Sequence, residues 1–382
     1  MKVGIITHSY LPNVDGVVRS IQIIQKYLEK RGHKVVIFAP EYENKSHYKD
    51  KKNVIRVSSL LNPKFSGFET PFPNFLSPTV LVKIKNENLD IIHVQNPFLV
   101  GEVSLLIGKF LNIPVILTYH TIYEMQAHYV KYFSKLIAEL GKHWGKSFSE
   151  RCNEVIVPSY RIKKKLIRLG AKGSFHVIPT GLDFELINKL KPLPHQKYGF
   201  TKKDRILISV GRLGFDKRIL MLLDTLSPLL KNNKNIKYVI CGDGPEKQTM
   251  ENLIKRESLE SQVKLTGNLP HKEIFKLLKM SDLFLIGSID ETQGVSLLEA
   301  LSVGTPVIAI KEDWTKIWKT KAVVKVKIEN LSDSIKKILN DIKKHKRLSI
   351  TAKDYAKQFD EEILIDEVIK VYREAKGKTS RM

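Results

Sequence analysis

Short runs of β-branched and aliphatic residues recur along this chain, and longer segments with helical spacing separate them. The first series comprises VGIIT (3–7), HKVVIFA (33–39), DIIHV (90–94), PVILTY (114–119) and EVIVPS (154–159). The second comprises RILISVG (205–211), IKYVICG (236–242), QVKLTG (262–267), DLFLIGS (282–288) and TPVIAI (305–310). Runs that stay apolar, rather than alternating, suit strands buried on both faces, the environment of a parallel sheet. Parallel neighbours need long crossovers, and the intervening helical patterns supply them. Two successive series therefore specify an α/β chain of two Rossmann-like domains. A length of 382 residues is too great for one core and suits this division. The stretch LKPLPHQKYGFTKKD (190–204), with its prolines, glycine and clustered polar residues, reads as the joint. The expected domains are 1–195 and 196–360, followed by a C-terminal helix, 361–382, that crosses back to the first.

The composition, 42% apolar and 27% charged, is that of a globular protein. The formal net charge is +24 and both halves are basic. Such a balance points to an anionic partner: nucleic acid, a membrane face or a phosphorylated substrate. There is no zinc spacing and no aromatic RNA-binding strand pattern, which counts against nucleic acid. Cys152 and Cys241 lie far apart in no metal spacing, so reduced thiols in a cytoplasmic protein are expected. The opening MKVGIITHSYLP reads as a first strand rather than a signal peptide. The longest apolar stretch, 98–119, is interrupted by Glu102, Lys109 and Pro114 and reads as a helix and then a strand. A membrane role would then be peripheral.

Chemistry concentrates where strands end. GRLGFDKR (211–218) follows a strand and carries Arg212 and Lys217 toward the crevice in which open α/β sheets bind ligands. An arginine fork and a lysine point charge suit a diphosphate, although taken alone they read more readily as surface ion pairs. CGDGP (241–245) is another strand-end turn. In ETQGVSLLEALSVGTP (291–306), Val295, Leu298 and Leu301 have helical spacing, and Gly304 stops the helix. Gly294 stands at the helix N-terminus, which favours an anion. If 291–299 were all helical, Glu291 and Glu299 would stand about 80° apart and roughly 12 Å along the axis. That separation is too great for a glycosidase-type carboxylate pair. It suits two grips on one extended ligand, with phosphates between them. A nucleotide-sugar has that shape, and carboxylates accept well from its hydroxyls.

In the first series, THSYLPNVDGVVRS (7–20) is a strand–turn–helix, and His120 closes the strand PVILTY at its carboxyl end. Val130 to Cys152 is amphipathic on a helical projection. Phe133, Leu136, Ile137, Leu140, Trp144 and Phe148 share one face, and Lys131, Lys135, Lys142 and Lys146 cluster opposite. A second basic segment, RIKKKLIRLG (161–170), contains Lys163, Lys164 and Lys165. Basic amphipathic segments dock on anionic lipid at about 1 kcal/mol per cation near the surface. The Phe- and Pro-rich KFSGFETPFPNF (64–75) is a candidate acceptor-side loop.

GRLGFDK, GDGP, the strand before Glu291, the paired glutamates with seven residues between them and GTPVIA together resemble glycosyltransferase family 4, in which two Rossmann-like domains of the GT-B fold face each other across a cleft. The likeness spans nearly the whole chain. TYHTIYEMQAHY (118–129) and the Gln293 of ETQG narrow it to the bacterial diacylglycerol glycosyltransferases (monoglycosyldiacylglycerol synthases). The resemblance implies transfer of glucose or galactose from a UDP-sugar to diacylglycerol, with retention and without a divalent metal; no Asp-x-Asp triplet is present. It implies that Arg212 and Lys217 hold the diphosphate, that Glu291 meets the donor sugar, and that Glu299 meets the ribose. Gln293, Gly294 and Val295 would complete the donor site, with Gly16 near phosphate and His120 near the transferred sugar. Rival expectations are transfer to a surface polysaccharide or lipopolysaccharide, or a basic nucleic-acid binder. Two departures stand out: Arg218 replaces the glycine usual after the lysine, and KEDWTKIW (311–318) replaces a small-residue loop.

Overall fold

The computed structural model describes residues 1–13, 16–42, 50, 52–62, 64–65, 68–69, 71–96, 99–120 and 134–379, with backbone alone at 64, 65, 68, 69, 72, 99, 134–142 and 379. The chain forms two units, Met1–Gly181 with Glu361–Met382, and Leu182–Asp360. The first boundary thus falls ahead of the expected 195/196. Packing explains the difference. Leu182, Phe184, Ile187 and Leu193 are buried in the second unit's core, and the Leu193 N–H donates to the Lys276 carbonyl at 3.2 Å. The proline-rich stretch, which includes a 3-10 turn at His195–Tyr198, is laid on the second unit.

The first unit is built on a parallel sheet of β1 (Lys2–Ile6), β2 (Lys34–Pro40) and β3 (Val54–Val57). Two short antiparallel pairs follow: β4 (Ser59–Leu61) with β7 (Phe72–Pro73), and β5 (Lys64–Phe65) with β6 (Phe68–Glu69). Residues 64–65, 68–69 and 72–73 of the candidate acceptor-side loop lie in these pairs. The main sheet resumes with β8 (Ile91–Val94), β9 (Val115–Thr118), β10 (Glu154–Val157) and β11 (Phe175–Val177), in the order β11-β10-β9-β8-β1-β2-β3. Successive residues serve opposite faces: Val3 and Ile5 enter one core, and Ile6 enters the other. That is why the runs are apolar throughout.

The helix Glu361–Thr379 belongs to this unit and lies against the helix Gly16–Lys30. Ile365, Val368, Ile369 and Tyr372 share a buried core with Val18, Ile21 and Leu28. At its far end Lys378 bonds Glu154, whose other oxygen meets His176 Nε2 at 2.6 Å. Burial opposes the Glu154 charge, but hydrogen bonds from Lys378, Ser174 and His176 outweigh it and hold the pKa below the ordinary value.

Tyr372 also bonds His93 Nδ1 at 2.7 Å, and Thr118 Oγ1 bonds His93 Nε2 at 2.6 Å. Burial, with a smaller contribution from His120, pushes the His93 pKa down to about 3. Unfolded histidine titrates near 6.5, so between about pH 6.5 and 3 the unfolded chain binds the extra proton. His93 therefore withdraws stability as pH falls through that window. Tyr372→Phe should leave one buried ring nitrogen unpaired and cost about 1–3 kcal/mol in urea unfolding at pH 7.5. An unchanged midpoint would remove this network from the account of how the last helix is held.

The second unit repeats the plan with β12 (Arg205–Val210), β13 (Ile236–Cys241), β14 (Val263–Gly267), β15 (Leu283–Ile286), β16 (Val307–Ile310) and β17 (Val323–Val326). All pairs are parallel, in the order β14-β13-β12-β15-β16-β17. Ile206 and Ile208 enter one core and Leu207 the other. In each sheet the chain first builds outward in one direction, then returns to build in the other. The order reverses between β1 and β8 in the first unit and between β12 and β15 in the second. Such switch points open a crevice at the carboxyl ends of the strands.

Candidate functional site

The second unit's switch point receives the loops after β12 and β15, and these carry Arg212, Lys217 and Glu291. The first loop is anchored by Leu213, which is fully buried. Its N–H donates to the Asp243 carbonyl at 2.9 Å, and its carbonyl accepts from the Glu246 N–H at 3.0 Å. The loop after β12 is thereby tied to the GDGP turn after β13. Gly242 makes this approach possible: it has φ +144°, and a Cβ there would lie 1.9 Å from the Gly211 carbonyl oxygen. With Leu213 fixed, Arg212 and the short turn Phe215–Lys217 are held just beyond the carboxyl end of β12.

Lys217 Nζ donates to Glu291 Oε1 at 2.6 Å, joining the two loops across the switch point. The same oxygen accepts from Ser288 Oγ at 2.8 Å, and the Ile289 N–H donates to the Asp216 carbonyl at 2.9 Å. Burial opposes the ammonium charge, but Glu291 and Asp216 outweigh it and raise the Lys217 pKa above that of an ordinary lysine. Lys217 is therefore cationic throughout the working pH range. Arg212 is paired with Asp216. Glu246 stands near this pair with a buried Oε2 that has no hydrogen-bond partner. Burial and the Asp216 charge raise its pKa, against the pull of Arg212.

Gly294 caps the helix Val295–Ser302 in the left-handed conformation, φ +84°. Gln293 beside it is buried. A Cβ at Gly294 would meet Trp314 at 3.0 Å. Gly294→Ala combines a left-handed penalty of roughly 1–2 kcal/mol with displacement of the Trp314 ring. It should lower the urea midpoint and, if phosphate approaches this terminus as the family resemblance implies, weaken UDP binding as well; a variant that binds UDP normally would show that it does not. One helical span along, Glu299 is only 2% exposed and its Oε1 meets His271 Nε2 at 2.6 Å. His271 heads the helix His271–Met280 and rests on the Phe275 ring, centroids 4.6 Å apart.

The two departures from the family pattern prove to be one feature. Arg218 occupies the left-handed region, φ +51°, that a glycine would adopt more easily. Its guanidinium bonds Glu312 of the KEDWTKIW segment. From that segment Trp314 Nε1 donates to the Ser288 carbonyl at 2.8 Å, and Trp314 and Trp318 both face the Gly294 position. Arg218 and Glu312 thus close the segment over the loop that carries Glu291.

His120 and Gly16 belong to the first unit. His120 follows β9, and its Nε2 bonds Gln95 Oε1 at 2.7 Å. Gly16 begins its helix with open space where a Cβ would stand, so sterics alone do not demand a glycine. Of the basic residues, Lys131 and the side chains of Lys135 and Lys142 lie outside those described. Lys146 lies along Gly170, Lys164 is exposed, Lys165 is half-buried, and Lys163 Nζ donates to the Phe175 carbonyl at 2.8 Å. Residues that sequence reasoning did not single out are Asp216, Glu246, His271 and Gln95. His271 and Gln95 act through tertiary contacts, whereas Asp216 pairs with Arg212 four residues before it. That spacing, and the strand-end position of Gln95 directly after DIIHV, were signals that could have marked two of them.

The chain matches the family model described as Glycosyl transferases group 1 over residues 191–355, and that described as Glycosyltransferase Family 4 over residues 14–186. It is 33% identical over 316 residues to the alpha-monoglucosyldiacylglycerol synthase of Streptococcus pneumoniae, a match covering 81% of this chain and 71% of that protein. It is 30% identical to the enzyme of the same name from Acholeplasma laidlawii, covering 82% of this chain and 81% of that protein. Among solved structures, Anabaena HepE in complex with UDP and glucose superposes with TM-score 0.74 at 18% identity, covering 97% of this chain and 98% of that one. With both units matched and the glycolipid synthases so similar over most of its length, the chain belongs to glycosyltransferase family 4 and has the GT-B fold.

Proposed function

We propose that this glycosyltransferase moves a hexose, glucose or galactose, from a UDP-sugar to the free hydroxyl of 1,2-diacylglycerol at an anionic membrane surface, with retention at the anomeric carbon. The observation that carries the reading is the Lys217–Glu291 bond across the second unit's switch point, beside Arg212 and the Gly294 helix terminus. Diphosphate is both the donor's anchor and the leaving group. Two fixed cations and a helix N-terminus stabilise the negative charge that grows on it as the glycosidic bond breaks. No divalent metal is required in this scheme. The Lys217 ammonium has three donors, so it can keep Glu291 oriented toward the sugar while meeting a phosphate oxygen. Glu299 then accepts from the ribose, and Gln293 and Val295 complete the wall. In the retaining path the departing phosphate takes the proton of the attacking hydroxyl, while His120 orients and polarises.

The acceptor assignment draws on the two relatives named as alpha-monoglucosyldiacylglycerol synthases. Among the described residues no helix is long and apolar enough to cross a membrane. The helix Tyr160–Arg168 suits peripheral docking: Ile162 and Leu166 are buried, while Tyr160, Ile167 and Lys164 face out. We assign the protein to the inner face of the cell membrane on these grounds.

The deciding experiment presents radiolabelled UDP-glucose and UDP-galactose with diacylglycerol in anionic micelles, with and without chelator, and resolves the lipid product and its anomer. An α-monohexosyl lipid insensitive to chelator is expected. Label appearing only in a soluble or polymeric sugar would replace the lipid reading with surface-polysaccharide assembly.

A further inference from the structure

The first unit has its own switch point, between β1 and β8, and Gln95 is the first residue after β8. Its N–H donates to the Ile6 carbonyl of β1 at 3.3 Å, so its backbone spans the point where strand order reverses. The side chain is almost wholly enclosed, 1% exposed. Its carboxamide oxygen takes the His120 Nε2 contact at 2.7 Å. An amide oxygen only accepts, so His120 donates this bond from Nε2. The other end of the carboxamide, the Nε2 amino group, is buried with no hydrogen-bond partner.

Buried donors are almost always paired, and an orphaned one is costly. The hydroxyls at the ends of the two strands that flank β8 are engaged elsewhere. Thr7 Oγ1 donates to the Ser9 carbonyl at 2.8 Å and accepts the Ser9 N–H at 3.3 Å. Thr118 Oγ1 is engaged by His93 at 2.6 Å. The orphan donor thus stands beside the histidine, at the place in the sheet where doubly wound folds bind ligands.

We propose that Gln95 is a second substrate-binding residue of the first unit. Its carboxamide oxygen sets the His120 tautomer, and its amino group donates to an alcohol oxygen of the substrate. The inference rests on the glycosyl-transfer reading above. Two alcohols are available: a hydroxyl of the donor hexose, or the acceptor hydroxyl of the lipid.

Gln95→Met keeps length and burial but loses both hydrogen bonds. Gln95→Glu keeps an oxygen for His120 and loses the amino donor. Both should unfold in urea within the range of the parent protein and bind UDP, which lacks the hexose, with unchanged affinity. Glycolipid kcat/KM should fall at least tenfold in both. A rise in KM for the UDP-hexose assigns the donor sugar as the hydroxyl's source, and a rise in KM for diacylglycerol assigns the acceptor. Activity of Gln95→Glu within twofold of the parent would overturn the donor role. In nitrogen-15 histidine spectra of the intact protein, the His120 signal, identified by its loss in His120→Gln, should show the Nε2–H tautomer and change in Gln95→Met. An Nδ1–H tautomer in the parent would overturn the positioning role. If the parent makes no glycolipid from either UDP-hexose, the reaction assignment fails, and the spectra still decide whether Gln95 sets the tautomer.

Discussion

Lys217→Ala is expected to lower glycolipid turnover about 10²–10³-fold while the protein stays folded. The magnitude is that of removing one preorganised group from a site where charge develops in the transition state. Lys217 is held by Glu291 and kept cationic by Glu291 and Asp216 against its own burial. A diphosphate bound there, as proposed, would meet it without reorganisation. Folding should survive because Glu291 retains its bond from Ser288 Oγ and the loop remains tied through the Ile289–Asp216 backbone bond. Lys217→Arg restores the charge but not the geometry: a planar fork replaces a compact ammonium at a half-buried position. It should recover only a minor part of the loss. Steady-state rates with circular dichroism and urea midpoints separate the cases, and near-normal turnover in Lys217→Ala would remove the lysine from the leaving-group site.

Glu299→Ala is expected to weaken UDP binding about 10–100-fold. A carboxylate accepting from hydroxyls contributes roughly 1.5–3 kcal/mol per hydrogen bond, and tenfold in affinity corresponds to about 1.4 kcal/mol. The effect should be the same for uridine as for UDP, because the proposed contact is to ribose and not to phosphate. That equality distinguishes Glu299 from Lys217, whose loss should weaken UDP and leave uridine alone. His271 is the residue to compare: it fixes one Glu299 oxygen at 2.6 Å, so its removal should reproduce part of the Glu299 effect. Unchanged UDP affinity in Glu299→Ala would end the ribose assignment.

The central strands of both sheets were legible because burial on two faces leaves an apolar run that few other structures produce. Within the two main sheets, the strands that sequence reading passed over, β3, β11 and β17, all lie at the edges. Each exposes part of its length, with burial interrupted at Ile55, His176 and Lys325, so its sequence carries a weaker pattern. The positions of Arg212, Lys217, Glu291 and Gly294 followed from strand ends and a helix start, which are local. Their pairing did not, because Lys217 and Glu291 are 74 positions apart and meet only once strand order places β12 beside β15. The same holds for His271 with Glu299 and for Gln95 with His120. Arg218 and KEDWTKIW read separately as two unexplained departures from the family; their ion pair makes them one compensated change.

In the proposed function, the second unit's switch point binds nucleotide diphosphate through its own cations. Titrating UDP and uridine into the intact protein, in buffer containing excess chelator, tests it most directly. Saturable UDP binding at least 100-fold tighter than uridine is predicted, undiminished by the chelator and collapsing toward the uridine value in Lys217→Ala. Equal affinity for UDP and uridine, or UDP binding that disappears when divalent ions are removed, would contradict it.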